Sequence, residues 1–373
     1  MLIVIASGLL LRSLWALQSV DVGMESDRLV ALSLTINDAR YPERSDYLAA
    51  YEALMERLES LPGVESVGSI RYLPLRRSGE STEFSIADRS EPIAGGPQRA
   101  DLLQVSPGFF RAAGVPLVAG RDFTRQDRMD VAPVVIINDA LRRRYWPGGT
   151  AVGRFLLFGG TPAEIVGVVG DIHQQSLAED PRPTLYLAQA QNPRRGMAFI
   201  VRAESDPESL LPRVRAAVHA IDPDQPIEHL AVMDDVVYSS TAQPRFFSLL
   251  LTSFAVLALL LASVGIYGVV SHSVSRRIPE IGIRVALGAP RAGVVGMVVA
   301  SGMRPVLAGA IVGLAASTVV MQVLDTILFG VRPLDPLTFT TVPLLLVSVA
   351  LVACWIPARR AVRGDPTEAL RAQ

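Results

Sequence analysis

The 373-residue sequence contains no lysine; all 35 basic residues are arginine. A Walker-type nucleotide site needs a P-loop lysine on the phosphates, so this stretch of sequence cannot build one. Schiff-base chemistry on lysine is excluded for the same reason. A single cysteine, Cys354, excludes an internal disulfide framework and a thiolate zinc site. Histidine is nearly as scarce. His173, His219, His229 and His272 are scattered, with neither HxxxH nor HExxH spacing, so no metal site is expected. No GxSxG elbow occurs, so no catalytic residue and no cofactor are assigned. Charge is also sparse, at 19% of residues, against about 25% in an average soluble chain. Half of the residues are hydrophobic, and the mean hydropathy is +0.35.

The apolar excess is concentrated. Phe246 to Ser275 is 30 residues long without Asp, Glu, Arg or Lys; Pro305 to Leu324 gives 20 more, and Pro336 to Ala358 gives 23. About 20 such residues cross a bilayer as a helix, so three membrane spans are expected at about 246–272, 302–324 and 336–357. Gly309 and Gly313, a Gly-xxx-Gly pair, are expected to support helix packing in the second. The N-terminal run, residues 1–11 before Arg12, covers only about 16 Å as a helix. It has neither the basic flank nor the cleavage site of a signal peptide. It reads as the outer part of a transmembrane helix whose beginning lies upstream, with Arg12 and Trp15 at the interface.

Charge sets the orientation. Residues 1–245 hold 25 Arg against 31 acids, and residues 246–373 hold 10 Arg against 5. In the second part the arginines cluster between the first two spans (Arg276, Arg277, Arg284, Arg291) and after the last (Arg359, Arg360, Arg363). Positive clusters mark the cytoplasmic side, which assigns residues 21–245 to the extracytoplasmic side. Arg142, Arg143 and Arg144 then read as a solvated helix face, with no nucleic-acid partner. Arg304, at the start of the second span, is the only charge near the hydrocarbon. Solute and proton transporters usually place ionisable groups midway through their spans, so a mechanical role is favoured over conduction.

In the outer region, residues 28–36 alternate in the manner of a strand. Leu48, Tyr51, Leu54, Met55, Leu58 and Leu61 share one helical face, and a second strand runs from Val64 to Ile70. The same order recurs as a strand over Ala198–Arg202, a helix starting at Asp206-Pro207-Glu208 and a strand over Ile227–Val232. The two strand-helix-strand units are expected to share one sheet. A β-rich lobe, about residues 80–190, is inserted between them. Strands are expected there at Val134–Asn138 and Ile165–Val169, with a short helix over Asp139–Trp146. Gly167 and Gly170 read as aids to close strand packing.

Between the first two spans runs Arg276-Arg277-Ile278-Pro279-Glu280-Ile281-Gly282-Ile283-Arg284-Val285-Ala286-Leu287-Gly288-Ala289. Pro279 suits a helix start, Glu280 its positive end and Gly288 its termination. The segment resembles the cytoplasmic signature of FtsX-like permeases, RExGIRxALGA, with Pro279 at its first position. Residues 8–23, 105–124, 134–154, 164–172 and 356–371 extend the resemblance to a MacB-type periplasmic core joined to an FtsX-like permease, closest to one half of the duplicated acidobacterial permeases. The resemblance implies an α+β fold: an extracytoplasmic two-lobed α/β domain over 21–245, preceded by a partial transmembrane helix 1 over 1–20. A four-helix FtsX-like transmembrane bundle with a truncated first helix would be completed by 246–373. It further implies a non-catalytic permease subunit of an ABC-type transporter in the bacterial inner membrane, working by mechanotransmission. A separate cytoplasmic ABC ATPase would dock on Arg277, Glu280, Ile281, Gly282, Arg284, Leu287 and Gly288. A second permease half or a homodimer, and a periplasmic adaptor or client, are the other partners implied. The alternative is an FtsX-like regulatory module controlling a partner such as a cell-wall hydrolase.

Overall fold

The computed structural model describes residues 1–76, 79–87, 98–276, 290–323 and 335–363. They divide into two compact units, Val20–Ser240 and the described residues of Met1–Ser19 with Thr241–Gln373. Helix α1 (Leu2–Gln18) opens the chain and belongs to the second of these.

In the outer unit, β1 (Leu29–Thr35), α2 (Arg44–Glu59) and β2 (Val64–Ile70) form the first strand-helix-strand element. There follow β3 (Glu80–Ile86), β4 (Gln98–Val105), α3 (Phe109–Ala113), β5 (Leu117–Gly120), β6 (Val134–Asn138) and α4 (Asp139–Tyr145). Next come β7 (Phe155–Phe158), β8 (Thr161–Val169) and β9 (Thr184–Ala188). The unit closes with β10 (Gly196–Ala203), α5 (Leu211–Ile221), β11 (Ile227–Val232) and α6 (Met233–Ser240). The two strand-helix-strand elements do share a sheet, in the order β11-β1-β10-β2. Leu32 of β1 lies opposite Phe199 of β10 on one side and Leu230 of β11 on the other, all antiparallel.

One face of these four strands is covered by α2 and α5. Leu32, Leu34, Phe199 and Val201 pack against Tyr51, Leu54 and Leu58 of α2 and Val214 and Val218 of α5. Each such side chain removed from water contributes about 1.5–3 kcal/mol. Helix α2 begins earlier than the apolar spacing alone suggests. Glu43 and Asp46 form a capping box in which the Glu43 N–H donates to Asp46 Oδ2 at 3.1 Å, satisfying N-terminal donors. At the second element Asp206 accepts the Glu208 N–H at 3.1 Å and so caps a single tight turn over Glu208–Leu210; the α-helix proper begins at Leu211.

Beyond β2 the sheet continues through one paired position, Ile70 opposite Val105, into the order β4-β3-β7-β8-β6-β9. Strand β9 then returns to pair in parallel with β4, with Leu103 opposite Tyr186, and closes these six strands into a ring. Val135, Ile137, Leu156, Ile165 and Leu185 line a core completed by Leu141 and Tyr145 of α4. Asn138 ends β6 and caps α4, accepting the Leu141 N–H at 3.1 Å. Strands β5 and β8 approach closely at glycine: a Cβ on Gly167 would lie 2.3 Å from the Arg121 carbonyl oxygen, so Gly167 serves strand packing, as expected. Arg142 and Arg143 are held by Asp139, and Arg143 reaches Asp171 at 2.6 Å.

The helical unit contains α1, α7 (Ala242–Arg276), α8 (Arg291–Val323) and α9 (Pro336–Arg363). Three of these are long and apolar enough to cross a membrane: Ala242–Arg276, Ala292–Val319 and Pro336–Arg359. Helix α8 begins eleven residues before the expected start of its span at 302 and carries Arg304 exposed within it. Met303 packs in one cluster with Val270 and Val274 near the end of α7 and with Ala350 and Cys354 of α9. Arg304 is therefore level with the arginine-bearing ends of α7 and α9, and the turns of α8 before it extend past that level.

Candidate functional site

Two crossings link the outer unit to the helices, one running from α1 into β1 and the other from β11 through α6 into α7. Within each unit the segments that enter and leave make specific polar contacts. In the first, the Glu25 N–H donates to the Ala113 carbonyl at 3.0 Å, and the Glu25 carboxylate accepts from Arg202 Nη1 at 2.6 Å. Only 4% of the Arg202 side chain is exposed, and its Nε donates to the Ala112 carbonyl at 2.9 Å. Glu25 is thereby pinned to β10 and α3 within the outer unit. Gly23, at φ +83°, passes so near Asp171 that a Cβ would lie 1.9 Å from the Asp171 carbonyl oxygen. In the outer unit the crossings also meet each other, since the Ser26 hydroxyl donates to Asp234 Oδ1 at 2.5 Å.

Within the helical unit the same two chain segments run side by side and antiparallel. Ser7 Oγ of α1 and Thr252 Oγ1 of α7 are 2.9 Å apart, and Ser248 Oγ donates to the Leu10 carbonyl at 3.4 Å. Small hydroxyl side chains suit such contacts because they let helices approach and still satisfy their polar groups. Ile5 and Leu9 of α1 pack with Ala255 of α7 and Val342 of α9. Arg12 forms an ion pair with Asp335. Asp335 also caps α9, accepting from the Thr338 N–H at 2.9 Å and the Thr338 hydroxyl at 2.8 Å. Arg12 thus binds α1 to the start of α9. The Asp-Pro-x-Thr sequence at 335–338 is the signal that could have found this cap.

The two glycines expected in helix packing behave differently. A Cβ on Gly313 would lie 2.6 Å from Met1 Cβ, whereas Gly309 has no heavy atom within 4 Å of its added Cβ. Gly313 sits where α1 meets α8; Gly309 makes no such approach among the described residues. The residues expected to dock on an ATPase, Arg277, Glu280, Ile281, Gly282, Arg284, Leu287 and Gly288, lie outside the described residues. Among the described residues no three His, Cys, Asp or Glu side chains gather as a metal site.

The family model of the MacB-like periplasmic core domain matches residues 2–220, more than half of the chain, and that of the FtsX-like permease C-terminal matches residues 252–366. The chain belongs to the MacB-type ABC permease family. The permease is 28% identical over 283 residues to the macrolide export ATP-binding/permease protein MacB of Chromobacterium violaceum, covering 73% of this chain and 43% of that protein. It is 26% identical over 280 residues to the protein of the same description from Escherichia coli strain K12, covering 71% and 42%. The permease therefore spans less than half the length of these relatives. Among solved structures, the periplasmic region of MacB from Actinobacillus actinomycetemcomitans aligns with a TM-score of 0.40 and 13% identity, over 59% of this chain and 95% of that one. The extracellular domain of the noncanonic ABC-type transporter YknZ aligns with a TM-score of 0.34 and 14% identity, over 54% and 100%. The FtsX-like match includes the whole of 276–289, the segment that resembles RExGIRxALGA.

Proposed function

We propose that this permease works by mechanotransmission: a separate cytoplasmic ATPase moves the segment 276–289, the helices carry the motion, and the outer unit acts on an extracytoplasmic substrate that is exported or extracted. The observation that carries this reading is the double tie between the crossings, Ser7 with Thr252 in the helical unit and Ser26 with Asp234 in the outer unit. Two helices joined side by side, whose continuations are also joined, suit the transfer of displacement better than the conduction of a solute. Sparse charge in the spans supports the same reading.

In this reading the arginine-rich ends face the cytoplasm, the chain crosses the inner membrane several times, and residues 21–245 lie outside as the core domain with its inserted lobe. A second permease half or a second copy completes the site for an ATPase dimer, and an adaptor or client engages the outer unit. Macrolide export, the activity in the name of the MacB relatives, is one form of this work.

Reconstitution of the permease with a cytoplasmic ABC ATPase from the same organism tests the reading. A rise in ATP hydrolysis that depends on the permease, and rises again with an exported compound, is the expected result. Capture of a cell-wall hydrolase by the outer unit, with no compound-dependent rise, would replace export with regulation.

A further inference from the structure

The face of the β11-β1-β10-β2 sheet opposite α2 and α5 carries a cleft of about 230 Å³. Its floor consists of small side chains, Ser33 and Thr35 of β1 with Gly196 and Ala198 of β10. Arg71 and Arg76, from the segment that follows β2, enter it from one side, and Glu228 and His229 of β11 border the other. The floor is shaped for Arg71: a Cβ on Gly196 would lie 2.7 Å from Arg71 Nη1 and 2.8 Å from Thr35 Oγ1. In the absence of that Cβ, Nη1 donates to the Gly196 carbonyl, and the guanidinium lies 4.5 Å from the centre of the Tyr72 ring.

Three features of this cleft are unaccounted for by folding. Arg71 Nε is buried with no hydrogen-bond partner, which costs free energy in a folded protein. Neither Arg71 nor Arg76 has a carboxylate within 4 Å among the described residues; Arg76 Nη1 instead faces His229 Nδ1 at 2.8 Å. Leu75, immediately before Arg76, is the one non-glycine residue at positive φ among the described residues, at +63°. It is held there by its N–H donating to the Gln174 carbonyl at 2.9 Å. Strained backbone of this kind persists where the surroundings over-determine it, and it clusters at ligand sites.

We propose that this cleft binds a small organic acid, with its carboxylate on the guanidinium groups of Arg71 and Arg76. Planar guanidinium donors match a planar carboxylate better than they match a single acceptor atom. Glu228 at the rim offsets one of the two positive charges, and burial, followed by the neighbouring Arg76, holds His229 below its ordinary pKa and so neutral. The fixed charge is then one positive, which favours a monoanion over a phosphate dianion. The volume admits a molecule of roughly ten non-hydrogen atoms. Recognition at this cleft stands independently of any coupling to an ATPase.

Calorimetric titration of the full chain in detergent micelles tests the assignment with three probes: N-acetylalanine, its neutral amide, and inorganic phosphate. Saturable binding of N-acetylalanine is expected, at least tenfold tighter than the amide and tighter than phosphate. Arg76→Gln, an exposed position, should weaken that binding at least tenfold while leaving the thermal midpoint unchanged, and Arg76→Lys should weaken it less. No saturable heat with N-acetylalanine, equal binding of the amide, tighter binding of phosphate, or full affinity in Arg76→Gln would each overturn the proposal. If Arg76→Gln lowers the thermal midpoint, the comparison of acid with amide on the unaltered chain decides.

Discussion

Arg202 and Glu25, 177 positions apart in the sequence, meet at 2.6 Å where the first crossing joins the sheet. The arginine is almost wholly buried and the glutamate is more than half exposed. The contact therefore neutralises a guanidinium that has little access to water, and the partner it relies on belongs to the linker. Removing one member of a buried pair leaves an uncompensated charge, at a typical cost of 3–5 kcal/mol; the exposure of Glu25 reduces that here to about 2 kcal/mol.

Glu25→Ala is accordingly expected to lower the stability of the outer unit by about 2 kcal/mol. It should also raise hydrogen exchange across residues 22–28. Chemical denaturation of the full chain in detergent, with peptide-resolved exchange, measures both. An unchanged midpoint would mean that Arg202 finds water or another acceptor once the glutamate is gone.

Gly23→Ala is expected to be costlier than an equivalent change at Gly148. Both have positive φ, +83° and +76°, but only at Gly23 would the new methyl collide with backbone, 1.9 Å from the Asp171 carbonyl oxygen. The left-handed conformation alone costs about 1–2 kcal/mol, and overpacking adds about 1–3 kcal/mol. Thermal midpoints of the two variants provide the comparison.

Asp335→Ala should loosen the helical unit more than Arg12→Ala. The aspartate caps α9 through Thr338 and also pairs with Arg12, whereas nearly half of the arginine side chain is exposed. Loss of an N-cap costs about 1 kcal/mol, and the exposed half of the pair adds little. A double-mutant cycle on the detergent-solubilised chain should give a coupling below about 1 kcal/mol.

Acid should destabilise the outer unit partly through Asp127. Burial would raise its pKa, but hydrogen bonds from Arg121 and from the Thr124 N–H outweigh that and hold it below the ordinary carboxylate value. Because the folded pKa is lower than the unfolded one, the stabilisation is present above the unfolded value of about 3.9. It is lost as pH falls through the folded value. Asp127→Asn should be less stable than the parent at pH 7 and should lose less on acidification to pH 3, as read by denaturation midpoints.

The sequence discloses more of this architecture than of its contacts. Three helices follow from the length of charge-free apolar runs, and the strand-helix-strand elements from local pattern: Tyr51, Leu54 and Leu58 repeat at helical spacing, and the side chains of 28–36 alternate. The ring formed by β4, β3, β7, β8, β6 and β9 does not, because its closing pair joins Leu103 to Tyr186. Two short apolar strands so far apart carry no mark of one another. Helix α8 outruns the span expected from hydropathy because charge-free length measures where a helix can meet hydrocarbon, not where it starts. Of the candidate site, the coupling signature was legible as a resemblance alone. The ties between Ser7 and Thr252 and between Ser26 and Asp234 were not legible, since isolated serines and threonines are ordinary in both settings.

The central claim is that the segment 276–289 passes the work of an ATPase into the helices. The most direct measurement is the permease-stimulated rate of ATP hydrolysis by a cytoplasmic ABC ATPase from the same organism, with the parent chain and with Glu280→Ala, Arg284→Ala combined, together with co-purification of the two subunits. The account predicts that the double variant inserts and folds like the parent, yet loses both association and stimulation. Intact association and full stimulation in the double variant would contradict it.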